Sequence, residues 1–291
     1  MRLVTFTHGR ETHIGAMVSR DGQDYILDLN RAQPSLPSNM IQFLEAGEAA
    51  LELAQSAVVS ATPDAWRLAS HVTLLAPILR PGKIMCMGYN YRDHTANAGD
   101  ALPDYPTLFV KCSSAVIGPH QPIVIPRVSS QVDYEAELAF VIGKRARRVA
   151  EEQTLEFVAG YTILNDVSAR DHIRRSTQWM MGKSFDTFAP LGPALVTQDE
   201  VPDPGNIDLY LTLNGQEMQR SNTRHLIFSI PYLIAYISQV MTLEPGDIVS
   251  TGTPWGTGIT RKPPVFMKPG DVVRICIERI GELVNPVVAE E

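Results

Sequence analysis

An α+β fold that is mostly β is what this sequence predicts, and three observations carry the prediction. From Lys83 onward, short apolar runs such as "KIMCMGYN", "TLFVKCSS", "PIVIPR" and "YEAELAFVIG" are separated by proline and glycine, the punctuation of many short strands. Helical periodicity is confined to "NMIQFLEAGEAALELAQSAVVS", from Met40, and "RHLIFSIPYLIAYISQVMTL", Arg224 to Leu243. Helices therefore do not alternate with strands one for one, which favours mixed sheets rolled on themselves over a doubly wound parallel sheet.

In chain order, "RLVTFTH", "HIGAMVS" and "DYILDLN" read as a small antiparallel meander. With the helical stretch that follows, they form a small N-terminal α+β unit over residues 1–75, closed by the prolines and glycine of "APILRPGK". Residues 76–291 form the larger, strand-rich unit. In its one long helix Pro231 is expected as a kink or a first-turn residue. "LEPGDIVSTGT" and "MKPGDVVRICI" read as two similar turn-to-strand entries rather than a repeat.

A formal net charge of −7 over 291 residues argues against nucleic acid or an anionic membrane as the partner and leaves a small molecule. No apolar run reaches the length of a membrane helix, and "MRLVTFTHGRE" lacks the apolar stretch of a signal peptide, so cytoplasmic residence is expected. Cys86, Cys112 and Cys276 sit in apolar runs without metal spacing and read as reduced packing residues.

"QVDYEAELAFVIG" is the most informative stretch. As a strand it places Asp133, Glu135 and Glu137 on one face. Such a row is either a solvent-facing polar stripe or a set of ligands converging on a cation. Asp166 closes the apolar run "FVAGYTIL", where an unpaired carboxylate would be costly. Delivered from a neighbouring strand end, it would complete an oxygen-rich site for Mg²⁺ or Mn²⁺. The set contains no clustered His or Cys, which disfavours zinc. Arg170 could instead neutralise Asp166 or Asp171.

Three further segments carry candidate chemistry. In "GYNYRDHTANAG", His94 follows an apolar strand and is either a general base or an ordinary loop histidine. "TGTPWGTG", Thr251 to Gly258, is a loop whose amides and hydroxyls can hold a carboxylate, or a plain wide turn; it matches neither a Walker loop nor a dinucleotide fingerprint. "MGKSFDTFAPLGP" sets Lys183 in apolar surroundings as an anchor for a substrate oxyanion, and it is not a nucleophile elbow.

Taken in order, "GYNYRDH", "DYEAELAFVIGK", "GYTILNDVSARD", "GKSFDTFAPLGP", "PGDIVSTGTPWGTG" and "KPGDVVRICIERIGELVNPV" resemble the fumarylacetoacetate hydrolase superfamily over nearly all of residues 80–288. The leading unit resembles the small N-terminal domain of many bacterial members. The resemblance implies a β-roll-like catalytic domain, a homodimer, and Mg²⁺ or Mn²⁺ held by Glu135, Glu137 and Asp166. It implies His94 as the histidine that activates water and Lys183 as a contact to substrate oxygens, with Arg170 and Thr253 as substrate-binding residues. Tyr89 and Gly252, in the same motifs, join them as substrate-binding candidates, and Asp133 is left as a spare acid, behind the ligands or at the surface.

The implied reaction is hydrolysis of a carbon–carbon bond in an acylpyruvate-type or sugar-derived 2,4-dioxo acid through a metal-bound enolate. Decarboxylation, isomerisation or dehydration of a 2-oxo acid would use the same site, and a catalytically silent ligand-binding protein is the alternative from another class. The chain departs from the pattern at Asn97, where many members carry a glutamate paired with the histidine, and at Ile173, where many carry glutamine.

Overall fold

The structure, a computed structural model, describes residues 1–94 and 101–291. Its largest sheet runs, from edge to edge, through Trp66–Leu68, Gln23–Asp28, Glu11–Arg20, Arg2–His8, Ala189–Thr197, Val158–Asn165, Ala136–Ile142, Ile248–Ser250, Ile84–Gly88 and Thr107–Lys111. A second sheet orders Gln216–Asn222, Asp208–Leu213, Val272–Ile277, Gly281–Ala289 and Ile123–Ile125. Mixed sheets with few helices are the architecture the strand punctuation predicts.

The strand Ala136–Ile142 is buried along its whole length, and its alternate residues serve two cores. Leu138, Phe140 and Ile142 pack with Leu209, Leu211 and Ile275 of the second sheet and with Leu233 and Ile237 of the helix Ile230–Val240. Ala139 and Val141 face the other way, into a cluster that holds Phe43, Ala50 and Ala54 of the N-terminal helices. Burial on both faces is why this strand reads as a nearly continuous apolar run. Glu137 is the exception, on the face of Ala139 and Val141.

Several elements differ from the sequence reading for identifiable reasons. The carboxylate stretch is two strands, Val132–Asp133 and Ala136–Ile142; the first pairs with Ser168–Ala169, outside the large sheet. The helical stretch from Met40 divides into Met40–Glu45 and Gly47–Ser60, because Gly47 takes a positive φ of 66° that ends the first helix. The later helix begins at Ile230, where the Ser229 hydroxyl caps the Tyr232 amide, and Pro231 sits in the first turn, where no donor is needed. The predicted meander is present as Arg2–His8, Glu11–Arg20 and Gln23–Asp28. It continues into the large sheet through the pairing of Arg2–His8 with Ala189–Thr197.

Phe140 is fully buried at the centre of the first core. Phe140→Ala is expected to lower the free energy of unfolding by ~3–5 kcal/mol in urea titrations. A loss below about 1 kcal/mol would show that this strand is not the centre of the packing.

Candidate metal centre and substrate pocket

Strand register assembles the acids. Glu137 lies opposite Leu164 in the antiparallel ladder, and the Asp166 amide donates to Glu135 O at 3.0 Å, which carries the pairing one step further. Residues opposite each other share a sheet face, so Glu135, Glu137 and Asp166 converge. Oxygen atoms of all three carboxylates lie within 4.8 Å of one another, and all three residues are buried. The solvent-facing stripe is thereby excluded.

Cations from three other segments offset the cluster. Lys183 Nζ stands 2.7 Å from Glu135 Oε2 and 2.5 Å from Asp166 Oδ2. Lys111 Nζ donates to Asp166 Oδ1 at 2.7 Å and to Val167 O at 3.0 Å. Arg170 Nε donates to Asp133 Oδ2 at 2.8 Å, and its Nη2 forms an ion pair with Glu135 Oε1 at 2.5 Å without hydrogen-bond alignment. Arg170 therefore neutralises Asp133 and Glu135, not Asp166 or Asp171.

Environment separates the two glutamates. Burial alone would raise the Glu135 carboxyl, but Arg170 and Lys183 overcome it and hold it at about 2. Burial, together with the negative charges of Asp166 and Glu135, pushes Glu137 well above the usual carboxylate range. Glu137 Oε2 accepts from Ser250 Oγ at 2.5 Å and from the Gly252 amide at 3.1 Å. With all four buried carboxyls of Asp133, Glu135, Glu137 and Asp166 ionised, as a bound cation would require, Lys111, Lys183 and Arg170 leave one negative charge uncompensated within this group. Hard oxygen donors with a deficit of positive charge fit a divalent cation of the Mg²⁺ or Mn²⁺ type.

Asp133 is fully buried, which excludes the surface reading. Its Oδ1 accepts from the Gly258 amide at 2.7 Å and its Oδ2 from the Ile259 amide at 3.0 Å. It thus ties the end of the Thr251–Gly258 loop to Arg170. Gly258 is required there by space, since a Cβ would lie 1.9 Å from Val265 O.

The acids open into a cavity of ≈ 370 Å³ whose lining includes Glu135, Glu137, His94, Arg170, Lys183 and Thr253. An aromatic group forms its outer wall: Trp179 lies edge-on to Tyr89, with ring centroids 5.6 Å apart, and 5.3 Å from Phe109. His94 stands edge-on to Trp255, and its Nδ1 is 3.3 Å from Thr253 O. A carbonyl oxygen only accepts, so the hydrogen of the neutral ring resides on Nδ1 and Nε2 carries the lone pair.

Every sequence-predicted site residue reaches this region, in different ways. Tyr89 sits half-exposed on the lining with φ of 56°, and Ile173 also lines the cavity. Gly252 serves Glu137 through its amide. The Thr253 hydroxyl donates to Ala136 O at 3.0 Å and accepts from Gln219 Nε2 at 2.8 Å, so its hydrogen is already committed within the protein. Asn97 lies outside the described residues. Lys111, Gln219 and Trp179 were not singled out by sequence. The only available signals were a lysine inside the apolar run "TLFVKC" and a tryptophan three residues before the predicted lysine motif.

Comparison with known proteins places the chain among relatives of several activities. The family described as Fumarylacetoacetate (FAA) hydrolase C-terminal matches residues 83–288. The mitochondrial oxaloacetate tautomerase Fahd2a of Rattus norvegicus is 46% identical over 291 residues, covering 99% of this chain and 92% of the relative. The crystal structure of a 5-carboxymethyl-2-hydroxymuconate delta-isomerase from Mycobacterium smegmatis is 36% identical, with a TM-score of 0.80 and full coverage of both chains. A maleylpyruvate hydrolase from Sphingobium sp. SYK-6, in complex with manganese(II) and pyruvate, is 35% identical at a TM-score of 0.82, again with full coverage of both. The expectation of cytoplasmic residence is overturned here, because the relative matched along 99% of this chain is a mitochondrial protein.

Asp133→Asn removes the negative charge between Arg170 and the two loop amides. Breaking that buried pair is expected to cost ~3–5 kcal/mol of stability and to accelerate amide hydrogen exchange at Gly258 and Ile259. Unchanged protection at both amides would show that other contacts hold the loop.

Proposed function

The chain belongs to the fumarylacetoacetate hydrolase family, and from that premise we propose that it is a divalent-cation-dependent enzyme that interconverts the keto and enol forms of a 2-oxo dicarboxylic acid of the oxaloacetate type. The observation that carries this reading is the buried acid trio sharing one cavity with His94, whose Nδ1 is held by the Thr253 carbonyl. The 46% identity to the Rattus norvegicus oxaloacetate tautomerase, along almost the whole chain, supports the same choice of reaction.

A divalent cation held by Glu135, Glu137 and Asp166 would polarise the 2-oxo group and acidify the neighbouring C–H bond. His94 Nε2 then takes the proton from C3. The C–H electron pair becomes the C2=C3 double bond, the carbonyl pair passes to the oxygen, which takes a proton from water to give the enol, and the imidazolium returns its proton to solvent. The reverse sequence restores the ketone. The Lys183 ammonium is kept charged against burial by Asp166 and Glu135 and places positive charge near the oxygen on which negative charge develops. Thr253 O fixes the tautomer that leaves Nε2 available.

Hydrolysis of a carbon–carbon bond is the second reading, supported by the likeness to the manganese-containing maleylpyruvate hydrolase. It uses the same three carboxylates and differs in the group that His94 deprotonates.

Chelator-stripped protein is expected to leave the decay of enol-oxaloacetate absorbance at its background rate, and Mg²⁺ or Mn²⁺ to restore acceleration. Metal-dependent release of pyruvate from an acylpyruvate or maleylpyruvate, without effect on the enol, would replace the tautomerase reading by the hydrolytic one. His94→Ala is expected to lower kcat by roughly 10²–10⁴-fold while oxalate still binds the metal-loaded protein in calorimetry. Wild-type turnover in that variant would remove His94 as the base.

A further inference from the structure

We infer that Arg174 receives the second carboxylate of the substrate and makes the site selective for 2-oxo dicarboxylates over 2-oxo monocarboxylates, a step that rests on the reaction class proposed above. Among the described residues, the cavity lining contains three cations: Arg170, Lys183 and Arg174. The first two are held by Glu135, Asp133 and Asp166. Arg174 differs: its Nη2 donates to the neutral side-chain amide oxygen Oε1 of Gln131, and among the described residues no carboxylate lies within ion-pairing distance of it. Among the described residues its charge thus has no anionic partner, and the side chain is exposed on the cavity lining.

Placement strengthens the assignment. The Arg174 amide donates to Arg170 O at 3.3 Å and continues the helical turn Arg170–Ile173. Residues four apart lie on one side of a helix, about 6 Å apart along its axis. Arg170 therefore reaches inward to Glu135 while Arg174, exposed, stands one turn further out on the lining. Ile173 and Trp179 give the wall beside it apolar surface, and the Ser176 hydroxyl on the same lining donates to Gln178 O at 3.0 Å.

Charge balance points the same way. A divalent cation among the acids converts the single uncompensated negative charge of that cluster to a single positive one, which the first carboxylate of a 2-oxo acid neutralises. A second carboxylate needs a second cation, set apart from the first by the length of a short carbon chain. Arg174 is the described lining residue that meets this requirement, and a guanidinium suits it because its fork matches a carboxylate's two oxygens.

The test uses ligands that need no turnover. Calorimetric titration of Mg²⁺-loaded protein with 2-oxoglutarate and 2-oxopentanoate, which share a carbon skeleton and differ in the second carboxylate, is expected to show tighter binding of the diacid. In Arg174→Gln that preference should fall about 10-fold, with 2-oxopentanoate and Mg²⁺ affinities unchanged and Arg174→Lys recovering part of the loss. Equal affinities in the wild type, or an undiminished preference in Arg174→Gln, would overturn the inference. Failure of the wild type to act on enol-oxaloacetate, with the calorimetric preference intact, would instead remove the proposed reaction and leave the role of Arg174 standing.

Discussion

Three carboxylates from two neighbouring chain segments share one buried face of the sheet, and the repulsion among them is the constraint around which the rest of the site is arranged. Like charges taken out of water must be paired, protonated or bound to a cation. Here the pairing comes from segments far apart in the chain: Lys111 from the edge strand Thr107–Lys111, Arg170 from the helical turn after Ser168–Ala169, and Lys183 from the turn Met180–Lys183. Holding these segments together depends on glycine where side chains would collide. A Cβ on Gly182 would lie 2.5 Å from Ile173 Cγ1 and 2.8 Å from Ala169 O, so its absence is what lets the Lys183 turn lie against the Arg170 turn.

Much of this could be read from sequence because the strand period is two. Alternation alone placed Glu135 and Glu137 together, and the apolar run ending at Asp166 marked a carboxylate that needed a partner. The fold class followed from equally local signals, the short runs and their turns. What could not be read was every feature set by tertiary approach. Lys111 lies in a strand at the edge of the large sheet, where a lysine reads as solvent-facing. It is nonetheless buried, because Asp166 and Val167 O stand within its reach. Asp133 shares the strand parity of the ligands, yet the chain leaves the large sheet at Tyr134 and Glu135, and this acid turns to the loop amides instead. Cellular address failed for a different reason: it is not a property of the fold.

Thr253 reaches the pocket lining with its hydroxyl already engaged. The motif points to its hydroxyl, whereas the structure engages that hydroxyl between Ala136 and Gln219 and turns the residue's carbonyl toward His94. The loop thereby joins two parts of the site. Its Gly252 amide holds Glu137, its Thr253 carbonyl sets the imidazole, and its last amide, at Gly258, is anchored on Asp133. A shift of this loop would disturb Glu137 and His94 together.

The same three acids suit hydrolysis, decarboxylation and tautomerisation, so the ligands by themselves say little about the reaction. Selectivity must come from the groups outside the trio. The proton-accepting group is one: enolisation of a polarised 2-oxo acid asks less of a histidine than deprotonation of water does. The far end of the cavity is the other. If the acid cluster with its cation can neutralise only one carboxylate, the identity of the remaining charged group on the substrate is decided by whatever faces it there. In this chain that position holds an arginine whose side chain is held by a neutral amide. The proton-accepting group and the distal charge are thus set by different segments, and each can change without touching the three acids, so that a fold whose relatives include a tautomerase, an isomerase and a hydrolase can differ in reaction through residues outside the trio.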